Sequence, residues 1–476
     1  MNNRSEIKKI ILEIENKFDV NNWKINELHI WPLVRIRLYL LLAHNHNIDD
    51  KKNNIYLDKN IDNRFFIKVK SYIALKYIEL KNMIKYVVWV GKIPQTKNIF
   101  TDADVYRVDY KNKRYNRFFD TFVEQNNIYN DSLFLLFDKK TSNNIYHKEK
   151  KYIYHIAFEG FNLLRKYIKV GEQFYFKLDN YNNFILYLNN NLLTQKYAQS
   201  FSIDKVKEQL ISFYIKKEFF KRIFSKTKVK RLHVLCYYSP EPMAMIVAAN
   251  QLDIYNEEYQ HGPQTTEHLA YATWTKLPDE GYDMLPRNFW CWDESSMKII
   301  EKWILSNKKY SAKNRGNLWV DFWKKQEIKY RFENFILYSL QPNPLKIEDL
   351  FNDKIIKAII NSNYLWFIRL HPNQINQIED FKNIIKQNGI EHKVNIENAT
   401  FDPLPQILSS TKLHITFYSG TAIEATFFNV YTIFLSDLAI NNFKDIIEEN
   451  KGGYLDLENE NFNSNLNNII NEKCNK

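Results

Sequence analysis

The feature that most constrains the fold of this chain is a regular alternation of short apolar runs and helical segments between residues 231 and 457. The runs Arg231 to Tyr238, Phe335 to Leu340 and Leu365 to Leu370 are apolar at almost every position, as is typical of parallel strands buried on both faces. Stretches with helical spacing follow them. Because this βαβ alternation occurs in two blocks, the sequence predicts an α/β protein with two Rossmann-like domains that face each other across a cleft.

A length of 476 residues allows two to three domains. We place the first domain at residues 1–310, with helical and basic segments added before its regular strands, and the second at residues 311–457. Residues 458–476 are predicted to be a tail or a helix that returns to the first domain. Ligands of such sheets bind beyond the carboxyl ends of the strands, so the site is expected in the cleft.

Charge is distributed unevenly along the chain. Residues 331–476 contain 13 Lys and Arg against 18 Asp and Glu, whereas residues 1–330 contain 54 against 37, which gives net charges of −5 and +17. A basic front half favours an anionic partner. No RNA-recognition, KH, zinc-finger or helix-turn-helix signature is present, so a nucleic acid is not the partner that we expect.

The densest basic stretch runs from Ile67 to Lys92 and has apolar residues at three- and four-residue spacing. This pattern predicts an amphipathic basic helix, which would suit peripheral contact with an anionic membrane. The alternative, favoured on sequence grounds, is a core-packed helix with a solvated lysine face. Neither a signal peptide nor a membrane-spanning segment is apparent, so we expect a cytoplasmic location, with or without contact at the inner face of the membrane.

Several common chemistries lack their sequence signatures. Cys236, Cys291 and Cys474 are far apart and form no CxxC pair, which disfavours a zinc cluster or disulfides and favours a reducing compartment. No P-loop, GxGxxG or GxSxG motif occurs. We expect no metal and no cofactor, with cationic donors neutralising a leaving phosphate instead.

Polar motifs stand where three of the predicted strands end. In the first, Glu258 to Pro263, His261 and Gly262 follow a buried strand. A histidine in a cleft can accept a proton from a hydroxyl group. In the second, Arg369 to Asn373, the arginine and His371 can donate hydrogen bonds to a phosphate.

The third motif is Tyr418 to Ala425, in which Ser419, Gly420 and Thr421 would open a helix. Free N–H groups at such a helix end bind anions, and Glu424, one turn further on, would accept hydrogen bonds from ribose. Each motif alone also fits an ordinary strand end or helix cap. Their joint placement predicts a nucleotide phosphate site with a proton acceptor opposite it.

At these residues the sequence resembles GT-B glycosyltransferases of bacterial capsule and lipopolysaccharide synthesis. The resemblance covers residues 230–457 well and residues 1–229 loosely. The Gln260-His261-Gly262 triplet, the His371-Pro372 pair and the turn from Ser419 to Thr421 are similar to motifs of transferases that use CMP-activated sialic acid or Kdo. They are also similar to motifs of teichoic-acid-type polyol-phosphate transferases.

The resemblance implies metal-independent, inverting transfer of a sugar from a nucleotide donor to a hydroxyl of a growing glycan, free or lipid-linked. The first domain would bind the acceptor, with Gln260 and Gly262 on that side, and His261 would act as base with Glu258 in reserve. The second domain would hold the donor through His371, Arg369, Ser419, Gly420, Thr421, Glu424 and Gln341.

The motifs also depart from those families, and the departures leave the donor open. The sialyltransferase families place acidic residues where this chain has Gln260-His261, and the polyol-phosphate families continue their His-Gly pair into Thr-Pro. Three alternatives therefore remain: a CDP-polyol phosphotransferase, a sugar-nucleotide epimerase and a non-catalytic scaffold of a glycan assembly complex. An epimerase would need carboxylates beside the donor sugar, for which Glu258 is the obvious candidate.

Overall fold

Two parallel sheets organise the computed structural model, which describes residues 4–44, 64–138, 144–168, 173–305, 307–326, 329–341 and 345–474. Its strands are β1 (Lys24–Ile25), β2 (Leu28–His29), β3 (Asn98–Asp102), β4 (Arg107–Tyr110), β5 (Lys113–Asn116), β6 (Ser132–Leu136), β7 (Lys151–Ile153), β8 (Phe176–Lys177), β9 (Arg231–Leu235), β10 (Tyr255–Tyr259), β11 (Asn288–Cys291), β12 (Ser311–Asn314), β13 (Phe335–Ser339), β14 (Leu365–Arg369), β15 (Val394–Asn395), β16 (Thr411–Thr416), β17 (Thr432–Phe434) and β18 (Gly452–Tyr454).

Helices connect these strands and cover both sheets. They are α1 (Arg4–Lys17), α2 (Trp31–His44), α3 (Arg64–Lys92), α4 (Phe119–Gln125), α5 (Tyr154–Ile168), α6 (Tyr181–Asn190), α7 (Gln195–Ala198), α8 (Ile203–Thr227), α9 (Pro240–Gln251), α10 (Glu294–Ile304), α11 (Leu318–Lys324), α12 (Ile347–Leu350), α13 (Asp353–Asn361), α14 (Ile378–Gln387), α15 (Glu397–Phe401), α16 (Leu404–Leu408), α17 (Thr421–Phe427), α18 (Leu438–Asn442), α19 (Lys444–Glu448) and α20 (Phe462–Cys474). Among the residues described, no helix has the length and apolar character needed to cross a bilayer.

Both large sheets have the same strand order. The first runs β12-β11-β10-β9-β3-β6-β7 and the second β15-β14-β13-β16-β17-β18, and every pairing within them is parallel. Counted from its own first strand, each sheet reads 3-2-1-4-5-6, the Rossmann order, with a seventh strand added in the first sheet. The prediction of an α/β protein with two Rossmann-like domains is confirmed. The strand order reverses between β3 and β9 in one domain and between β13 and β16 in the other.

The amino-terminal helices pack on the first domain through a buried ion pair. Arg35 Nε lies 2.9 Å from Glu15 Oε1, which also accepts a hydrogen bond from Trp31 Nε1 at 2.9 Å. The same guanidinium donates to the Thr273 carbonyl oxygen at 2.8 Å. Because both charges are fully buried, this contact fixes α1 and α2 against the loop that follows β10.

The structure corrects two of the predicted boundaries. Strand β12 pairs with β11, so the first sheet extends beyond residue 310 to Asn314. Helix α20 does not return to the first domain: Phe462, Leu466 and Ile470 belong to the core of the second domain. Their spacing places all three on the face of α20 that is buried against α13 and β16.

A buried charge cluster closes the edge of the first sheet. Lys151 Nζ lies 3.1 Å from Asp102 Oδ2 and 3.0 Å from Asp120 Oδ2, and all three side chains are inaccessible to solvent. Arg107 Nη2 adds a contact of 3.1 Å to Asp102. Burial raises the pKa of Asp120 to about 7, with Asp102 raising it further and Lys151 opposing the shift. The cluster joins β3, α4 and β7 and holds the β4–β5 hairpin at the sheet.

We expect Lys151→Met to lower the free energy of unfolding by about 3–5 kcal/mol, because it leaves the buried Asp120 without its cation and Asp102 with Arg107 alone. Lys97→Met is the matched control, since Lys97 forms an exposed pair with Asp131 at 2.7 Å and should cost less than about 1 kcal/mol. Urea denaturation of both variants measures the difference. Equal losses would contradict the importance of the cluster.

Candidate functional site

The carboxyl ends of the two sheets meet at a shared apolar core. Tyr259, Trp290 and Trp292 of the first domain form one cluster with Ile423 and Phe443 of the second domain. Such burial disfavours separation of the domains, because each apolar side chain removed from water contributes about 1.5–3 kcal/mol. The polar residues that follow the strands lie beside this core.

A close approach between the domains joins two of the predicted motifs. A Cβ atom placed on Gly420 would lie 2.6 Å from Pro263 Cγ, well inside the closest distance that real Cβ atoms keep. Only glycine therefore fits at this position without moving the neighbouring loop. The turn that carries His261 and the turn that carries Ser419 are thereby brought together, as the sequence predicted.

His261 lies at the end of β10 with a buried carboxylate beneath it. Its Nδ1 is 3.4 Å from Glu258 Oε1 and 3.3 Å from the backbone nitrogen of Cys236. The Nε2 atom is 3.4 Å from the hydroxyl of Tyr238. Glu258 Oε1 also accepts a hydrogen bond from Tyr271 at 2.7 Å. Since Glu258 is fully buried, it can orient His261 but has no surface with which to contact a substrate.

Sequence reasoning missed Cys236, which the structure places against His261. The thiol follows β9, is partly exposed, and lies within hydrogen-bonding reach of His261, Tyr238 and the Ser239 hydroxyl, the last at 3.0 Å. Cys236 has φ +52°, the left-handed region that a non-glycine residue seldom occupies. The sequence indicated a possible role for Cys236 only by its position, because it directly follows a buried strand that is next in the chain to the strand before His261.

Cys236 and His261 shift each other's protonation. Burial lowers the pKa of His261, but hydrogen bonds to the Cys236 thiol and to Glu258 outweigh this effect and raise the pKa to about 10. Burial raises the pKa of Cys236, yet the contacts with His261 and with the nearby hydroxyls lower it overall. These shifts favour a protonated His261 ring at neutral pH and make the Cys236 thiol easier to deprotonate than an ordinary one. The predicted role of His261 as base therefore requires that its ring first gives up a proton.

On the second domain, a hydrogen-bond network connects the three predicted donor-binding segments. The His371 N–H donates to Gln374 Oε1 at 3.2 Å, and Gln374 Nε2 donates to the Gln341 carbonyl at 3.5 Å. The Thr416 hydroxyl lies 3.1 Å from Gln341 Oε1 and accepts from the Ser419 N–H at 3.2 Å. The ends of β13, β14 and β16 are thus held in one arrangement.

Two side chains of this network are suited to hold a ligand. Gln341 Nε2 is a buried amide donor that has no hydrogen-bond partner among the described residues. His371 accepts the Asn373 N–H at Nδ1, at 3.2 Å, and burial lowers its pKa, so the ring is neutral at pH 7 with a proton on Nε2. A phosphate or hydroxyl acceptor would satisfy both donors.

The turn at Ser419 differs from the predicted anion-binding helix end. Helix α17 has seven residues, and the Ala422 N–H donates to the Ser419 carbonyl at 3.1 Å. The Thr421 N–H is taken by Ser419 Oγ at 3.3 Å. The N–H groups of Thr421 and Ala422 are therefore not free, unlike in the predicted helix end, and binding of an anion there stays a prediction. The hydroxyl groups of Ser419 and Thr421, 3.2 Å apart, remain as the polar groups of this turn.

Arg369 and Glu424 are engaged with protein groups. Arg369 Nη1 donates to the carbonyl oxygens of Ala399 at 2.6 Å and Asp402 at 2.9 Å, and burial lowers its pKa to about 10. Burial raises the pKa of Glu424, an effect opposed by Arg117 from the first domain and by Arg369. The predicted contacts with phosphate and ribose would have to compete with these partners.

Gln260 is structural, which corrects its predicted place on the acceptor side. The side chain is fully buried, accepts the Trp292 N–H at 2.7 Å, and donates to the Gly262 carbonyl and the Ser296 hydroxyl, each at 3.1 Å. These bonds fix the turn in which His261 stands. Gly262 itself has open space around its Cα, so a ligand could approach the backbone there.

Comparison with known proteins supplies no family for this chain. No protein-family model matches the sequence, and no curated protein matches it. Among solved structures, the chain is similar to UDP-GlcNAc 2-epimerase from Methanocaldococcus jannaschii, with 13% identity, a TM-score of 0.44, and coverage of 80% of this chain and 92% of that one. It is also similar to UDP-GlcNAc 2-epimerase from Neisseria meningitidis bound to UDP-GlcNAc, with 12% identity, a TM-score of 0.42, and coverage of 78% and 91%. Likenesses this distant do not decide the reaction, which must be inferred from the site.

We expect iodoacetamide to alkylate Cys236 faster than the other two cysteines at neutral pH, because its lowered pKa increases the fraction of thiolate. Cys291 and Cys474 serve as internal controls: both are buried, and burial raises the pKa of Cys474 to about 11. His261→Gln should slow labelling of Cys236 about tenfold for each unit by which its pKa rises. Peptide mass spectrometry gives the three rates in one sample.

His392→Gln, on the surface, is the matched control for that substitution. Labelling of Cys236 that is unchanged by His261→Gln would show that the thiol and the imidazole are not coupled.

Proposed function

We propose that this chain is an enzyme that acts on a nucleotide-activated sugar bound between its two domains. The observation that carries the proposal is the convergence of the Cys236–His261–Glu258 group with the Gln341, His371 and Ser419 segments at facing strand ends. One side offers a group that exchanges protons, and the other offers unpaired donors to a phosphate or ribose. A scaffold protein would have no use for either.

Each side would have a distinct task in the reaction. Gln341 and His371 would hold the nucleotide, while the His261 imidazolium would donate a hydrogen bond to the leaving phosphate oxygen. Once that proton is shared with the phosphate or with Cys236, the imidazole can take up another from the substrate. Glu258 keeps the ring oriented throughout, as the third member of such a group does.

Two reactions suit this arrangement. Transfer to an acceptor hydroxyl is favoured by the basic front half of the chain, which suits an anionic acceptor. Epimerisation of the bound sugar would use the Cys236–His261 pair as the proton-exchanging group: one member would take the proton from one face of a carbon, and a proton would return to the opposite face. Epimerisation requires no second substrate, whereas transfer requires an acceptor, so an assay without acceptor distinguishes the two reactions.

Nucleotide binding is tested by thermal unfolding with CMP, CDP, UDP, GDP and ADP. A nucleotide at about 100 times its Kd should stabilise the protein by about 2.7 kcal/mol. His371→Ala should abolish most of this stabilisation, whereas His392→Ala, on the surface of the same domain, should keep it. Stabilisation by CDP alone would favour the polyol-phosphate alternative. If no nucleotide stabilises the protein, the proposal fails.

The reaction is tested by incubating the best-bound nucleotide sugar with the protein in D₂O without an acceptor. Epimerisation would replace the C–H hydrogen at the inverted carbon with deuterium, which NMR detects on recovered nucleotide sugar. Transfer would leave that hydrogen in place and would release nucleotide only when an acceptor glycan is added. In either case His261→Gln should reduce turnover at least about a hundredfold, the usual scale for loss of an acid–base group. Turnover within a fewfold of wild type would contradict the assigned role of His261.

A further inference from the structure

Helix α3 leaves a long apolar stripe uncovered, which is unusual for a helix that is otherwise anchored in a domain. The side chains of Tyr77, Leu80, Ile84, Val87 and Val88 are between 48% and 66% exposed. At 3.6 residues per turn they fall within an arc of about 100° and extend along about 17 Å of the helix axis. A contiguous exposed apolar surface of this kind marks an interaction site.

The opposite face of α3 is firmly packed, so the exposed stripe is a fixed surface of the molecule. Tyr86 is buried against Phe161 and Phe219, with ring centroids 5.7 Å and 6.4 Å apart. Gly160 of α5 brings the two backbones close together, since a Cβ atom there would collide with Asn82. The core-packed interpretation of this helix is correct for one face only.

Lysines flank the stripe on one side. Lys81, Lys85 and Lys92 lie on the adjoining face of the helix, and none has a carboxylate within ion-pair distance among the described residues. The whole helix has seven basic residues and one acidic residue, a net charge of +6. Lys76, on the other flank, is paired with Glu79 and the Tyr167 hydroxyl. The surface therefore combines apolar side chains with uncompensated positive charge.

A groove beside the stripe has the same character. It has a volume of about 600 Å³ and lies between α3 and the edge strand β7. Its apolar walls are Tyr77, Leu80, Ile84 and Val88 on one side and Tyr152 and Ile153 on the other, and Lys81, Lys85 and Lys92 also line it. The groove could accept an acyl chain while the lysines meet a phosphate group.

We propose that the α3 surface docks this protein on an anionic phospholipid bilayer, with the apolar stripe inserted at the interface and the lysines against lipid phosphates. Charge complementarity selects this occupant, because an apolar stripe bordered by lysines matches the boundary between acyl chains and anionic headgroups. The proposal is independent of the reaction in the cleft. A second copy of the chain is the rival occupant and is one outcome of the test.

The test is co-sedimentation of the full chain with vesicles of phosphatidylcholine, or of an equimolar mixture of phosphatidylcholine and phosphatidylglycerol. We expect binding to the anionic vesicles only, weakened by salt. The double variant Leu80→Ser, Ile84→Ser should bind at least about tenfold more weakly, since both apolar side chains leave the interface. Lys81→Gln with Lys85→Gln should also weaken binding and reduce its salt dependence.

Leu192→Ser is the matched control, because Leu192 is 83% exposed and lies away from α3. All variants should keep the thermal stability of the parent and its response to nucleotide, which separates failure of this surface from failure of the proposed function. Wild-type protein that ignores anionic vesicles, or a serine variant that binds them as well as wild type does, would overturn the proposal. So would a dimer in analytical ultracentrifugation that the double serine variant abolishes.

Discussion

The close packing of Gly420 against Pro263 sets the geometry on which the candidate site depends. Because glycine has no Cβ atom, the turn after β16 can lie directly on the turn after β10. The shared apolar core around Trp290 and Ile423 holds the domains together beside this contact. Without it, the proton-exchanging group of the first domain and the amide and imidazole donors of the second would not face a common ligand.

In the candidate site, the burial of each polar side chain determines whether it can contact a ligand. Glu258 and Gln260 are fully buried, and the Glu258 Oε1 atom and the Gln260 amide are bonded to protein partners, so they position the His261 turn rather than meet substrate. His261 and Cys236 keep some exposure and share a proton in a poorly solvated setting, where charge interactions are strong. The same reasoning separates Gln341, whose amide donor is unsatisfied, from Arg369, whose donors already meet carbonyl oxygens.

Much of the fold could be predicted because strands that are buried on both faces of a sheet appear in the sequence as continuous apolar runs. The strands β9 to β11 and β13 to β17 and the joint placement of His261, His371 and Ser419 at strand ends were predicted from the sequence, whereas β12, which is not apolar, was not. The membership of β3, β6 and β7 in the first sheet could not be predicted, since the β4–β5 hairpin and five helices lie in the chain between β3 and β9. Nor could the environment of Cys236 be predicted, because the lowered pKa of its thiol depends on His261, which comes from another strand end. The exposure of the apolar stripe on α3 could not be predicted either. The spacing of apolar residues shows that a helix has an apolar face, but not whether another element packs on that face.

The most direct test of the central claim is photolabelling with a 5-azidouridine diphosphate sugar, followed by peptide mapping. Thermal shifts show that a nucleotide binds, whereas the label shows where. We predict saturable labelling of peptides that follow β13, β14 and β16 or that contain His261, and its loss when unlabelled nucleotide sugar competes. Saturable labelling confined to segments away from these strand ends, or labelling that competitor does not reduce, would contradict the account of a nucleotide-sugar site between the two domains.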